Sequence, residues 1–361
     1  MISSIGYGAK SAMAKLERMD FEREDPRPNE VVIDVLFTGV CHSDIHQVKN
    51  EWKNTVYPCV PGHEVVGRVR SVGDKTSRFK EGDMVGVGCM IDSCRKCDPC
   101  KTGDENYCEG PNSWLSTYNG PQKPASKTPD NTNMYGRDNT FGGYSNIVVV
   151  PEDFVLSIPD GLDPKAAAPI LCAGVTTWSP MKHWGVKKGD SVAILGFGGL
   201  GHMAAKLAKG LGAKVTVLTS TPDKVADAKK LGADAAFVET DKTSLTPLAG
   251  TFDFILSTVP EKHEVGALLD LLKRDGRFIV VGNLDVIDGV DNSKLAFRRQ
   301  SVSGSLIGNL KDTQEVLDFC AANGIAPEVE VIDIATINEA FTRVENGEVR
   351  YRYVIDMATL K

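Results

Sequence analysis

The sequence predicts an α/β protein of two domains: a β-rich domain over residues 1–156 and 304–361, and a doubly wound parallel-sheet domain over 157–303. Three observations predict it. The 361 residues exceed the ~100 to 200 of one ordinary domain. Short valine-rich runs bounded by Gly, Asp and Pro dominate up to about Val150, which is strand punctuation. Beyond Pro159, short apolar runs alternate with segments of helical periodicity, the mark of parallel sheets built from crossover units.

The elements follow in order. Val31, Ile33 and Val35 alternate with other residues, and Glu64 to Val69 and Met84 to Val87 are further strand-like runs. Gly110 to Gly143 is almost wholly Pro, Gly, Asn, Asp, Ser and Thr, with Trp114, Tyr118, Tyr135 and Phe141 among them. A loop well beyond ~15 residues is usually functional or disordered, and its aromatics suit either a substrate pocket or packing of the loop on itself. Ser191 to Leu195 is an apolar strand followed by a glycine turn. Leu200, Met203, Ala204, Leu207, Ala208 and Leu211 then recur at helical spacing, with Lys206 and Lys209 on the other face. Lys214 to Leu218, Phe252 to Leu256, Phe278 to Val281 and Val302 to Ile307 read as strands, and Val265 to Lys273 reads as a helix. The chain ends with a helix at Asp312 to Ala322 and short strands that return to the first domain.

Composition narrows the function classes. With 42% hydrophobic, 25% charged and 7% aromatic residues the chain is globular rather than disordered or fibrous. The balance of 41 basic and 48 acidic residues gives a net charge of −7 with no basic block, which disfavours nucleic acid and anionic membranes as partners. No run of 18 apolar residues and no apolar N-terminal segment occurs, so the expectation is a soluble cytoplasmic enzyme.

Cys94, Cys97, Cys100 and Cys108 fall within fifteen residues of the nine-cysteine chain. Four thiolates at that spacing can close a tetrahedral zinc site with no open position, a structural lobe over about residues 90–110. Gly196-Phe-Gly-Gly-Leu-Gly201 fits G-x-G-x-x-G between a strand and a helix, the context a dinucleotide fingerprint requires. Gly196 permits the tight turn, Gly198 admits a pyrophosphate, Gly199 and Leu200 open the helix, and Gly201 lets helix and strand pack closely. At the end of the next strand stand Thr219, Ser220, Thr221, Pro222, Asp223 and Lys224. Hydroxyls and a lysine there can donate to a 2′-phosphate, which favours NADP(H), while Asp223 after Pro222 suits the first turn of a helix. Cys41, His63 and Cys172 are dispersed, and spacing alone does not join them.

Gly39-Val-Cys-His-Ser-Asp44, Gly62-His-Glu64, the four-cysteine lobe, Leu171-Cys-Ala-Gly-Val-Thr176, the glycine turn and Arg350-Tyr-Arg-Tyr-Val354 together resemble the zinc-dependent medium-chain alcohol dehydrogenases, and within them the cinnamyl alcohol dehydrogenase group. The match keeps the same order over essentially the whole chain. It implies a GroES-like catalytic domain with a Rossmann domain, two zinc ions, NADP(H) and an aldehyde or alcohol substrate. By that resemblance Cys41, His63 and Cys172 hold the catalytic zinc, with water, substrate or Glu64 as fourth ligand, and Asp44 orients His63. Ser43 contacts the substrate oxygen and His46 relays its proton. Thr176, Val281 and Gly282 match positions beside the nicotinamide, and Trp114, Leu306 and Ile307 match the substrate pocket. His42 is open between a cofactor phosphate contact and packing.

The extended Gly110 to Gly143 segment, the spacing of Trp114 from Tyr118-Asn119, and Leu306 in place of a frequent phenylalanine depart from the plant lignin enzymes. They favour a broader aldehyde reductase acting on aromatic or medium-chain aldehydes. The resemblance also implies a homodimer built through the nucleotide-binding sheet. Two competing expectations are a zinc-independent C=C or C=N reductase and a non-catalytic NADPH-binding protein. Cys59, Cys89 and Cys320 read as small buried hydrophobes, His183 and His263 as surface or packing histidines, and His202 as a packing residue.

Overall fold

A computed structural model gives the fold and describes residues 1–110, 117–119, 140–282, 286–287 and 289–361. The chain divides into two compact units, residues 1–172 with 309–361 and residues 173–308.

The first unit begins with an antiparallel pair, β1 (Ile2–Gly8) and β2 (Glu17–Arg23). Its larger sheet is built on β3 (Glu30–Gly39), which pairs antiparallel with β4 (Val65–Val72) and β6 (Ile147–Pro151). β5 (Met84–Val87) bridges β4 and β7 (Leu156–Ser157). Val31, Val32, Ile33, Val65, Val66 and Val85 are buried, because β-branched side chains pack well on a pleated surface. Before residue 172 its described residues also form the helices α1 (His42–Val48), α2 (Asp98–Thr102) and α3 (Pro164–Pro169). The unit runs past residue 156 because β7 pairs with β5 and α3 packs on β3 and β4.

The second unit opens with α4 (Val175–His183). Its sheet is wholly parallel and holds β8 (Ser191–Leu195), β9 (Lys214–Thr219), β10 (Ala235–Val238), β11 (Phe252–Ser257), β12 (Leu272–Val280) and β13 (Ser301–Gly304). Their order, β10-β9-β8-β11-β12-β13, reverses at β8, so the switch point lies between β8 and β11, where open parallel sheets bind ligands. The helices are α5 (Gly199–Gly210), α6 (Asp223–Lys230), α7 (Lys242–Leu245) and α8 (Asn292–Arg298). Ala193, Leu195, Leu218, Ile255, Leu269, Leu272 and Phe278 are among the residues of one buried core cluster. The helix expected over Val265 to Lys273 is instead a short 3-10 turn, Leu268–Leu271, running into β12. Leu272 takes its place opposite Phe252 in the sheet, and that pairing overrides the local spacing of leucines. Asp223 does stand in the first turn of its helix.

The chain then returns to the first unit through α9 (Leu310–Asn323), β14 (Val329–Asp333), α10 (Ile337–Glu345) and β15 (Arg352–Asp356). Asn309 caps α9 by accepting the Asp312 N–H at 2.7 Å, and Gly324 ends it in the left-handed conformation. β15 pairs with β3 and so carries Arg352 into the interior of the unit.

Candidate active site

Two groups of metal-binding side chains exist among the described residues, both in the first unit. The first is the cysteine lobe. Cys94 and Cys100 Sγ lie 3.9 Å apart, and Cys97 and Cys108 Sγ 3.8 Å. Zinc–sulfur bonds of ~2.3 Å at tetrahedral angles place sulfurs about 3.8 Å apart, whereas a disulfide needs about 2.05 Å. Backbone N–H groups of Cys94, Cys97 and Glu109 donate to the sulfurs of Cys108, Cys94 and Cys97 at 3.2, 3.3 and 3.4 Å, a setting that favours thiolates. The Glu109 N–H first and the Cys100 N–H second hold the Cys97 thiol down at about 6, while burial pushes Cys100 up to about 12.

The second group is Cys41, His63, Glu64 and Cys172, all buried, with one ligand atom from each within 4.8 Å of the others. Cys41 is the residue before α1, His63 and Glu64 lead into β4, and Cys172 lies on a π-helical turn, Ile170–Gly174. Cys41 and Cys172 Sγ are 3.9 Å apart, again the edge of a zinc tetrahedron. The hydrogen bond to Cys172 holds the Cys41 thiol well below its usual range against burial, and the same bond pushes Cys172 up.

Asp44 is fully buried and organises this site. As the third residue of α1 it accepts the Cys41 N–H at 3.0 Å, capping the helix. It also accepts the Gly62 N–H at 3.0 Å and the Tyr144 hydroxyl at 3.3 Å, and it lies 3.1 Å from His63 Nδ1. With Nδ1 committed, Nε2 is the ring nitrogen left for a metal. Burial opposes a charge on His63, but Asp44 together with Cys89 and Cys41 outweighs it and holds the imidazole well above its usual value.

Glu64 Oε1 accepts from Arg352 Nη2, and both side chains are buried. Burial pushes the Glu64 carboxyl up to about 7 while Arg352 pulls it down. Its other oxygen, Oε2, is buried without a partner. A Cβ on Gly39 would sit 1.8 Å from Oε2, so glycine is required there. Two thiols, an oriented imidazole and an orphaned carboxylate oxygen form a donor set that suits zinc with a position open to exchange.

Ser43 and His46 are half-buried and three residues apart on α1, which puts them on one helix side. His46 Nδ1 contacts Glu51, and its ring lies 5.0 Å from His42 and 5.6 Å from Trp52. Tyr118 is buried with its ring 5.7 Å from His63, which gives one aromatic of the long segment a place beside the site. Trp114 lies outside the described residues. Arg352 is the partner that sequence reasoning passed over; its signal was a charge inside the alternating Arg350-Tyr-Arg-Tyr-Val354 strand.

The second unit holds the glycine turn at the carboxyl end of β8, at the switch point. Gly196 has φ +85°, and a Cβ on Gly201 would lie 2.1 Å from Gly196 O. At Gly198 a Cβ meets nothing within 4 Å, leaving open space before the N-terminus of α5, as a bound pyrophosphate requires. Gly199 and Leu200 form its first turn. Thr219 ends β9, with its hydroxyl oxygen accepting the Thr221 N–H at 3.2 Å; Ser220 is exposed, and Thr221 and Lys224 are half-buried. Thr176 is buried with Oγ1 unpartnered. Val281 and Gly282 follow β12 and bond to Ser257 O through their N–H groups at 3.0 and 3.2 Å. Leu306 and Ile307 are half-buried beyond β13. His202 is buried with Nδ1 3.2 Å from Gly198 O, whereas His263, expected at the surface or in packing, pairs with Ser257 Oγ at 3.1 Å.

Known proteins share both halves. Residues 27–160 match the alcohol dehydrogenase GroES-like domain and 199–322 the zinc-binding dehydrogenase family. The chain is 46% identical to NADP-dependent alcohol dehydrogenase C 1 of Mycolicibacterium smegmatis and to aldehyde reductase YahK of Escherichia coli, covering 98% of both sequences in each case. It superposes on a cinnamyl alcohol dehydrogenase of Sorghum bicolor with a TM-score of 0.90, at 39% identity over 99% of each chain. The chain therefore belongs to the zinc-dependent medium-chain alcohol dehydrogenases, oxidoreductases acting on CH–OH donors, within their cinnamyl alcohol dehydrogenase group.

Proposed function

We propose that this chain is an NADPH-dependent reductase of aromatic and medium-chain aldehydes, reversible as an alcohol dehydrogenase, that holds two zinc ions. The observation that carries the reading is the buried Cys41, His63 and Cys172 set with Asp44 locking the imidazole. When bound there, zinc supplies a Lewis acid for the carbonyl oxygen, and NADPH supplies the hydride.

The residues do the rest. Cys41 and Cys172 thiolates and His63 Nε2 hold the metal, and their two negative charges match its own. Glu64 is an exchangeable ligand kept in reserve by Arg352. Ser43 Oγ donates a proton to the reduced oxygen, and His46, reaching solvent beside the exposed Glu51, replenishes it. The cysteine lobe holds the second zinc in a closed structural role.

On the nucleotide side, Gly196, Gly198, Gly199, Leu200 and Gly201 receive the pyrophosphate. Ser220, Thr221 and Lys224, with Thr219 behind them, receive the 2′-phosphate. The NADP-dependent relative supports that choice. The buried, unpartnered Thr176 hydroxyl, with Val281 and Gly282, suits a nicotinamide amide contact. Leu306 and Ile307 form apolar pocket positions, and the aldehyde reductase relative supports the broad substrate class. Cytoplasmic location and a homodimer complete the reading. Edge strand β13 and the exposed Val286, Ile287 and Phe297 supply the kind of surface such a dimer buries.

The test is the rate of NADPH and NADH oxidation with butanal, benzaldehyde and cinnamaldehyde. The reading expects turnover with NADPH at least tenfold above NADH on several aldehydes. Absence of turnover in zinc-loaded protein rejects it.

A further inference from the structure

We propose that Thr258, just beyond β11, is a positioning residue that holds the glycine turn in its cofactor-binding shape and thereby sets the affinity for the pyrophosphate of NADPH. The inference rests on the reading of that turn as a dinucleotide site.

Thr258 is 8% exposed and stands at the switch point. Its N–H donates to Leu195 O at 2.8 Å. Its hydroxyl is shared between Leu195 O at 3.0 Å and Gly196 O at 3.2 Å. Both carbonyls belong to the last peptides before the turn, where the strand ladder ends and the backbone needs another partner. The Gly196–Phe197 peptide is trans and planar, so anchoring its carbonyl on Thr258 fixes the direction of its N–H as well.

The same residue touches the glycines on three sides. A Cβ on Gly196 would lie 3.0 Å from Thr258 Oγ1, and one on Gly201 3.1 Å from it. A Cβ on Gly282 would lie 2.4 Å from Thr258 C and 2.5 Å from its O. Three glycines that the sequence marks as cofactor contacts are therefore packed around one threonine the sequence does not mark. Their lack of side chains serves Thr258 as much as the ligand.

Ser257 secures Thr258 from behind. Its carbonyl accepts the Val281 and Gly282 N–H groups, and its Oγ lies 3.1 Å from His263 Nε2. His263 Nδ1 faces Glu261 O at 3.0 Å. A carbonyl only accepts, so Nδ1 carries the proton, and in neutral imidazole Nε2 accepts from the Ser257 hydroxyl. The segment 257–263 is thus closed on itself and tied to the end of β12, which holds the backbone that carries Thr258.

The experiment compares full-length Thr258→Val, which keeps shape and removes the hydroxyl, with Thr258→Ser, which keeps the hydroxyl. NADPH binding is read by nucleotide fluorescence without aldehyde, beside displacement by adenosine 2′-monophosphate, which lacks the pyrophosphate. The Val variant is expected to raise the NADPH Kd about tenfold, or ~1.4 kcal/mol, and to change the constant for adenosine 2′-monophosphate less than twofold. The Ser variant is expected within about twofold of the parent for both. Equal weakening of both ligands would reduce Thr258 to a general structural role and overturn the proposal. So would unchanged NADPH binding by the Val variant, or a folded Ser variant that binds tenfold more weakly. The Ser arm decides the case even where the Val variant fails to fold. Failure of the parent chain to bind NADPH would instead reject the dinucleotide reading itself.

Discussion

Arg352 reaches Glu64 in the interior of the first unit, 4% exposed against a carboxylate with no exposure at all. A buried pair of this kind adds little net stability over apolar packing, but removing one partner leaves an uncompensated charge. Arg352→Leu is therefore expected to lower unfolding free energy by about 3 to 5 kcal/mol, read by urea denaturation; a loss under about 1 kcal/mol would show that Glu64 finds another partner. At this scale the sequence was legible where chemistry clusters in a motif. Cys94 to Cys108 are readable because four thiols at short spacing have few other uses. Cys41, His63 and Cys172 are not joined by spacing, since the sheet brings them together from positions up to 131 residues apart; only the family resemblance linked them. Arg352 had a signal only as a charge inside the alternating Arg350-Tyr-Arg-Tyr-Val354 stretch, which does not name its partner, and Thr258 had none, because a lone threonine after a strand carries no pattern.

At the scale of elements, the strand and helix around the glycine turn were readable from periodicity, and β8, α5 and β9 follow from it. The leucine-rich Val265 to Lys273 stretch misleads because its spacing satisfies both a helix and a 3-10 turn leading into β12, and only pairing with β11 decides. Contacts between elements also carry pH dependence. Asp234, after α6, accepts Lys209 Nζ of α5 at 2.6 Å and the Val215 N–H of β9 at 2.8 Å. Lys209 first and that N–H second hold its carboxyl below the ordinary 3.8. The folded state thus favours the ionised form, so its stabilisation is full above the ordinary value and is lost as pH falls below that value and through the lower folded one. Asp234→Asn is expected to lower stability at pH 7 by under about 1 kcal/mol, since both side chains are 45% exposed. The difference from the parent should shrink between about pH 5 and pH 3; a pH-independent difference in urea midpoints would contradict this assignment.

For the whole molecule, the division into a β-rich unit and a parallel α/β unit was legible because the two halves have different hydrophobic periods. The boundary was less so: residues 157–172 read as the start of the nucleotide half, yet β7 and α3 pack in the first unit. The consequence is that every member of the buried donor set, Cys172 included, belongs to the first unit. Edge strand β13 and the apolar residues exposed in the second unit lead to the expectation of a dimer by size exclusion with light scattering, near twice the 39.0 kDa chain mass; a monomer at micromolar concentration would exclude that assembly. The central claim is that the Cys41, His63 and Cys172 set holds a zinc on which aldehyde reduction depends, separate from the zinc of the cysteine lobe. Zinc content and aldehyde turnover measured on one preparation of Cys172→Ser test it most directly. The expected result is a fall from two zinc ions per chain to one, with turnover lowered at least 1,000-fold, about 4 kcal/mol of barrier, while NADPH still binds. Two zinc ions per chain with the parent's turnover would contradict it.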